Sequence, residues 1–126
     1  MTRINCIDPA LLNNKHLLAE YRELPRVFGL VKKAIKNGYS PKNFEQFNSY
    51  KIGTGHVKFF YTRLAWLEER FSSLVNELKK RGYHIKYEAL NTDGITLEWF
   101  GSWTPDIIAK EINNQRIELN LKKMNA

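Results

Sequence analysis

Apolar residues recur at helical spacing along most of this chain. Leu11, Leu12, Leu17, Leu18, Tyr21, Leu24 and Phe28 form one such series, continuing towards Val31 and Ile35. Asp8-Pro9 offers a capping acid before a proline, so a helix is predicted to start there. Asn37-Gly38 predicts its stop. Pro25 falls inside the series; it has no N–H to donate to the Tyr21 carbonyl, and a kink is expected. A second helix is predicted from about His56 to Lys80, with Val57, Phe60, Leu64, Leu67, Phe71, Leu74, Val75 and Leu78 as its apolar positions. Arg81-Gly82 would end it, with bases against the negative end of the helix dipole. Thr104-Pro105 opens a third helix reaching about Lys122, with Ile107, Ile108, Ile112, Ile117 and Leu119 as candidate core. Residues 39 to 53 have no clear period and read as an excursion loop. Residues 83 to 103 hold short aromatic or alternating pieces that fit brief strands or turns. The expected architecture is a mostly α, compact single domain over residues 1–126, with three main helices and long loops.

Length and composition narrow the class. The 126 residues are 43% apolar and 26% charged, enough for one core and too few for two. The longest uncharged apolar run, Val27 to Val31, is far below the roughly 20 residues of a membrane-spanning helix. The opening Met-Thr-Arg-Ile-Asn has no apolar signal-peptide core, so a cytoplasmic protein is expected. Cys6 is alone, which excludes an internal disulfide and a zinc ribbon. His16, His56 and His84 lie in no recognised ligand spacing, and no metal or other cofactor is expected.

Charge changes the picture more. The net charge is +7, and all of the excess lies in residues 1 to 63, which hold eleven bases and four acids. Residues 64 to 126 hold nine of each. A pI near 9.6 with one-sided charge is the footprint of a polyanion binder, nucleic acid first among them.

Glu23 stands out in this basic half. It lies between Arg22 and Arg26, with Arg3 and Lys15 near in sequence, and seven residues after His16, a stripe of about 10 Å on a helix. Two readings fit: an ordinary helix ion pair such as Glu23 with Arg26, or a carboxylate held among cations for chemistry. Thr2 is small enough to favour removal of Met1, which would leave a free α-amine. Such an amine has a pKa of about 7.7–8.0, is partly neutral at physiological pH, and can form an imine with a sugar aldehyde carbon. A frayed terminus is the alternative. Gly53-Thr54-Gly55-His56 fits a tight turn into a helix better than a phosphate cradle, since it lacks the residues of a P-loop. Lys79-Lys80-Arg81 is explained by dipole compensation. Trp66 reads as core, whereas Trp99, Phe100 and Trp103 are open between core and base stacking.

Longer runs say more. Met1 to Asn5, then His16-Leu17-Leu18-Ala19-Glu20-Tyr21-Arg22-Glu23-Leu24-Pro25-Arg26-Val27-Phe28-Gly29, closely resemble the pyrimidine dimer DNA glycosylases, the bacteriophage ultraviolet-damage endonuclease V type. Gly53-x-Gly55-His56-Val57-x-Phe59-Phe60-Tyr61 and Leu78-Lys79-Lys80-Arg81-Gly82 match as well. The resemblance implies a three-helix domain whose N-terminal segment threads into the active site. It also implies a bifunctional DNA glycosylase and abasic-site lyase acting on ultraviolet-induced cyclobutane dimers in double-stranded DNA, without a cofactor. Carried over, Thr2 supplies the nucleophilic α-amine and Glu23 the acid–base group. Arg22 and Arg26 hold phosphates, Arg3 and His16 line the site, and the DNA is kinked with a nucleotide flipped out. The chain departs from the family pattern at 39–52, at 86–103 and at its end, Leu121 to Ala126, where better-known members carry an aromatic tail linked to dimer recognition. That departure leaves a lyase with a different damaged-base preference as an alternative. A non-catalytic module for damaged or bent DNA is another, and an RNA-binding protein explains the charge alone.

Overall fold

The computed structural model describes residues 3–53 and 55–125, with side chains through Lys122. Its helices are α1 (Asn14–Glu23), α2 (Pro25–Lys36), α3 (His56–Phe59), α4 (Leu64–Lys80) and α5 (Ile107–Asn125). Short 3-10 turns lie at Pro9–Leu11, Pro41–Phe44 and Leu97–Trp99. Among the described residues there is no strand, only one isolated antiparallel bridge between Arg63 and Phe100. The mostly α architecture expected from the sequence is what the chain adopts, with α1–α2, α4 and α5 as its three main helical stretches. No described helix is long and apolar enough to cross a membrane.

Local signals acted largely where expected, with shifts that have physical causes. Asp8 does cap a turn, its Oδ1 accepting from the Ala10 N–H at 3.0 Å, but the turn is 3-10 and ends at Leu12 in extended backbone. The α-helix begins one step later, where Asn13 Oδ1 accepts from the His16 N–H at 2.8 Å. Arg81 holds this start in place by donating to the carbonyls of Pro9, Ala10 and Leu12 and to Asn14 Oδ1. The C-terminal base of α4 is thus a tether as well as dipole compensation. Pro25 separates α1 from α2 as expected. Leu24, between the two, keeps helical dihedrals (φ −54°, ψ −43°). Asn37-Gly38 ends α2, with Gly38 at φ +88° and the Tyr39 N–H donating back to the Ala34 carbonyl at 3.0 Å.

The second predicted helix is interrupted. α3 is a single turn, and residues 60–63 leave the helix before α4 begins. The cause is distant in sequence: the Gly101 N–H donates to the Thr62 carbonyl at 3.1 Å. A Cβ on Gly101 would stand 2.3 Å from that carbonyl oxygen, so only glycine allows the approach. The break lets Phe59, Phe60 and Tyr61 all be buried, which three consecutive residues on one helix face cannot be.

The core lies between α1, α2 and α4. Leu17, Tyr21, Val27, Phe28 and Val31 meet Leu64, Leu67, Phe71, Leu74 and Leu78 there. Full burial of each such side chain contributes about 1.5–3 kcal/mol. An aromatic cluster extends it. Trp99 is core, while Trp66 is only half-buried, stacked on Phe60 at 5.5 Å and edge-on to Trp103 at 4.8 Å.

α5 corrects the sequence reading most. It starts at Ile107, with Asp106 Oδ1 accepting from the Ala109 N–H at 2.8 Å, rather than at Thr104-Pro105. Of its expected core residues, Ile107, Ile108 and Leu119 are 74%, 66% and 59% exposed, while Ile112 and Ile117 are half-buried and pack against the core. The buried face is Ala109, Asn113 (0% exposed) and Arg116 (8% exposed). The surface it meets is the main chain of residues 5–7, which needs hydrogen-bond partners more than it needs apolar cover.

Candidate active site

Residues 3–7 run through the molecule without regular structure, so their backbone groups cannot pair with a neighbouring strand or helical turn. Side chains from other elements serve instead. The Arg3 N–H donates to Glu23 Oε2 at 3.1 Å. The Ile4 N–H donates to His56 Nε2 at 2.9 Å, and the Tyr50 hydroxyl donates to the Ile4 carbonyl at 2.8 Å. Asn113 Oδ1 accepts from the Cys6 and Ile7 N–H groups at 2.6 and 3.2 Å, and Arg70 donates to the Ile7 carbonyl. Asn5 points its amide at buried Glu20 (2.7 Å), and its oxygen receives Asn113 Nδ2 and Arg116 Nη2. Glu20 in turn pairs bidentately with buried Arg70, at 2.7 and 3.0 Å. Burial of so many polar groups is tolerable because they satisfy one another.

Glu23, the last residue of α1, stands partly buried where this segment emerges. Among the described residues it makes no ion pair, with Arg26 or any other base; its recorded partner is the Arg3 main chain. Thr2 lies outside the described residues, and Glu23 is on the chain's approach to it. Arg22 and Arg26 are exposed on either side of the Pro25 junction, free to meet a ligand from solvent. The Arg3 side chain is exposed as well.

His16 is partly buried, and neither ring nitrogen has a partner among the described residues. Burial and then the positive charges of Arg116, Lys15 and Arg3 hold its pKa below the ordinary histidine value, so the ring is neutral near pH 7. Arg116 is in the same condition: its Nε and Nη1 are buried without partners among the described residues. Burial lowers the guanidinium's pKa too, though it stays a cation. His16 and Arg116 thus both carry buried nitrogens without partners among the described residues, and the Arg116 charge acts on the His16 ring.

The structure joins Arg3 to Glu23 by one hydrogen bond, leaves the His16 ring nitrogens without partners among the described residues, and exposes Arg22 and Arg26. Sequence reasoning missed Arg116, Asn5 and Asn113. Asn113 and Arg116 are one helical turn apart on the polar side of α5, a signal that the isoleucines of that helix obscured. It also read Gly53-Thr54-Gly55-His56 as a turn. Gly53 and Gly55 do have left-handed φ of +89° and +90°, and the His56 N–H closes the turn on the Gly53 carbonyl at 3.1 Å.

A small helical fold with exposed bases next in sequence to a carboxylate suits a nucleic-acid enzyme. The family model for pyrimidine dimer DNA glycosylases matches residues 1–91, which hold α1 to α4 and all the site residues expected from the sequence. The chain belongs to that family, and so to the DNA-repair glycosylases whose substrate is DNA.

Proposed function

We propose that this chain is a bifunctional DNA glycosylase and abasic-site lyase acting at cyclobutane pyrimidine dimers in duplex DNA, with the α-amine of Thr2 as nucleophile. The observation that carries this reading is the hydrogen bond from the Arg3 N–H to Glu23, which puts an acid–base group beside the residue next to Thr2.

In the reaction, the amine lone pair bonds to C1′ of the damaged nucleotide as the bond to the base breaks, and the base leaves with the electron pair. The sugar ring then opens: the C1′–O4′ bond breaks, O4′ takes a proton, and a protonated imine joins protein and sugar. Glu23 stabilises this cation and mediates the proton transfers. Loss of a C2′ proton expels the 3′ phosphate by β-elimination, cutting the strand on the 3′ side. Water then hydrolyses the imine and returns the amine. His16, whose ring nitrogens have no partner among the described residues, lines the site of the opened nucleotide. Arg22 and Arg26 neutralise flanking phosphates, and binding weakens steeply with salt.

The test is borohydride trapping on duplex DNA with one abasic site, then with one thymine dimer. An adduct mapped to Thr2 is expected. Glu23→Gln should bind DNA as before and lose about 10²–10⁴-fold in strand cleavage. Failure of protein that starts at Thr2 and binds the duplex to form any adduct would overturn the reading.

A further inference from the structure

We propose that His56 is a positioning residue for the catalytic amine: with Tyr50 it clamps both polar groups of the Ile4 peptide and so sets where the chain terminus meets Glu23. This inference rests on the reading that the Thr2 amine is the nucleophile. Ile4 is fully buried, its N–H on His56 Nε2 and its carbonyl on the Tyr50 hydroxyl. Residue 2 follows within two residues, a reach of at most about 7 Å. An amine attacking C1′ must come within about 3–3.5 Å in the right direction, and a displacement near 1 Å can cost about 10²-fold.

The imidazole can hold Ile4 in one protonation state only. Nδ1 lies 2.8 Å from the Lys51 carbonyl oxygen, which can only accept, so Nδ1 carries the hydrogen. That leaves the Nε2 lone pair for the Ile4 N–H; a doubly protonated ring would oppose it. The surroundings enforce the neutral form: burial, then the charges of Arg116 and Arg3, push His56 down to about 4 despite the pull of the Lys51 carbonyl. Tyr50 and Phe60 fix the ring edge-on at 5.4 and 5.6 Å. The turn beneath is equally constrained, since a Cβ on Gly55 would stand 3.0 Å from both Phe47 and Lys51. With both nitrogens used inside the protein, His56 acts on the reaction only through Ile4.

The experiment compares the full chain with His56→Phe, which keeps an edge-on ring but no acceptor, and His56→Gln, whose amide oxygen reaches the Nε2 position. Three readouts are taken: single-turnover adduct formation on abasic-site duplex, DNA affinity, and hydrogen exchange of the Ile4 and Leu74 amides. His56→Phe should slow adduct formation by about 10–100-fold, with affinity within about twofold. The Ile4 amide should exchange at least about tenfold faster while Leu74 in α4 is unchanged. His56→Gln should recover most of the rate. Equal losses in both variants, or an Ile4 amide still protected in His56→Phe, would overturn the positioning role. Should His56→Phe not fold, Tyr50→Phe removes a single hydroxyl from the same clamp and should slow the adduct several-fold, whereas an unchanged rate would refute it. If the unaltered chain forms no adduct, the amine reading fails, and the role in catalysis falls with it. Unaltered-chain trapping with no effect of His56→Phe refutes the positioning alone.

Discussion

α4 and α5 are the two longest helices, and they are held in opposite ways. α4 presents Leu64, Leu67, Phe71, Leu74, Val75 and Leu78 to the core at spacings of three and four, and its apolar stripe is the face it buries. α5 leaves Ile107, Ile108, Leu119 and Leu121 in solvent and inserts Asn113 and Arg116 into the molecule. The difference lies in what each helix packs against. α4 meets the apolar sides of α1, whereas α5, beside the apolar contacts of Ala109, Ile112 and Ile117, turns Asn113 to the bare main chain of residues 6 and 7. Hydrophobic periodicity therefore locates a helix's inner face only when its neighbour is apolar too.

The sharpest break in this contrast should come where the two kinds of packing touch. Arg70 belongs to α4 but reaches the Ile7 carbonyl and Glu20. Glu20→Gln leaves its guanidinium buried without a counter-charge and should destabilise the protein by about 3–5 kcal/mol in urea unfolding. Substitutions within each packing should come next. Leu74→Ala opens a cavity and should cost about 2–5 kcal/mol. Asn113→Leu keeps the volume but strands the Cys6 and Ile7 N–H groups, at about 1–3 kcal/mol for each group left unpaired.

Cys6 distinguishes these two losses. Burial raises its thiol to about 11, so it should be inert to an aromatic disulfide reagent at pH 8. Asn113→Leu should speed its modification by at least about tenfold, whereas Leu74→Ala at matched stability should not.

Acid should loosen the polar seam before the apolar one. His56 titrates near 4 when folded and near 6.5 when unfolded, so the unfolded chain binds the extra proton between those values. Its contribution is complete above about pH 6.5 and is lost as pH falls towards 4, amounting to about 3 kcal/mol. Denaturation midpoints from pH 7 to 4 should therefore fall less steeply for His56→Gln than for the unaltered chain. The smallest effect belongs to the outer face of α5, where Leu119→Gln should shift stability by no more than about 0.5 kcal/mol.

Much of this was legible beforehand because its causes are local. The leucine stripe of α4, the stop at Asn37-Gly38 and the break at Pro25 depend on residues within a turn or two of one another. Glu23 could be singled out because a carboxylate is conspicuous among so many bases. The interruption at 60–63 could not be foreseen, since the group that captures the Thr62 carbonyl comes from Gly101. His56 invited thoughts of metal and turns, yet its partner is an amide 52 residues away.

By itself the sequence determined the helical class, the basic half and a carboxylate set among cations, because periodicity, net charge and proline or glycine chemistry act over short range. Only the tertiary structure decided what holds the N-terminal segment. An irregular strand of main chain must find donors and acceptors wherever the fold brings them, and Glu23, His56, Tyr50, Arg70 and Asn113 come from four different parts of the chain to supply them.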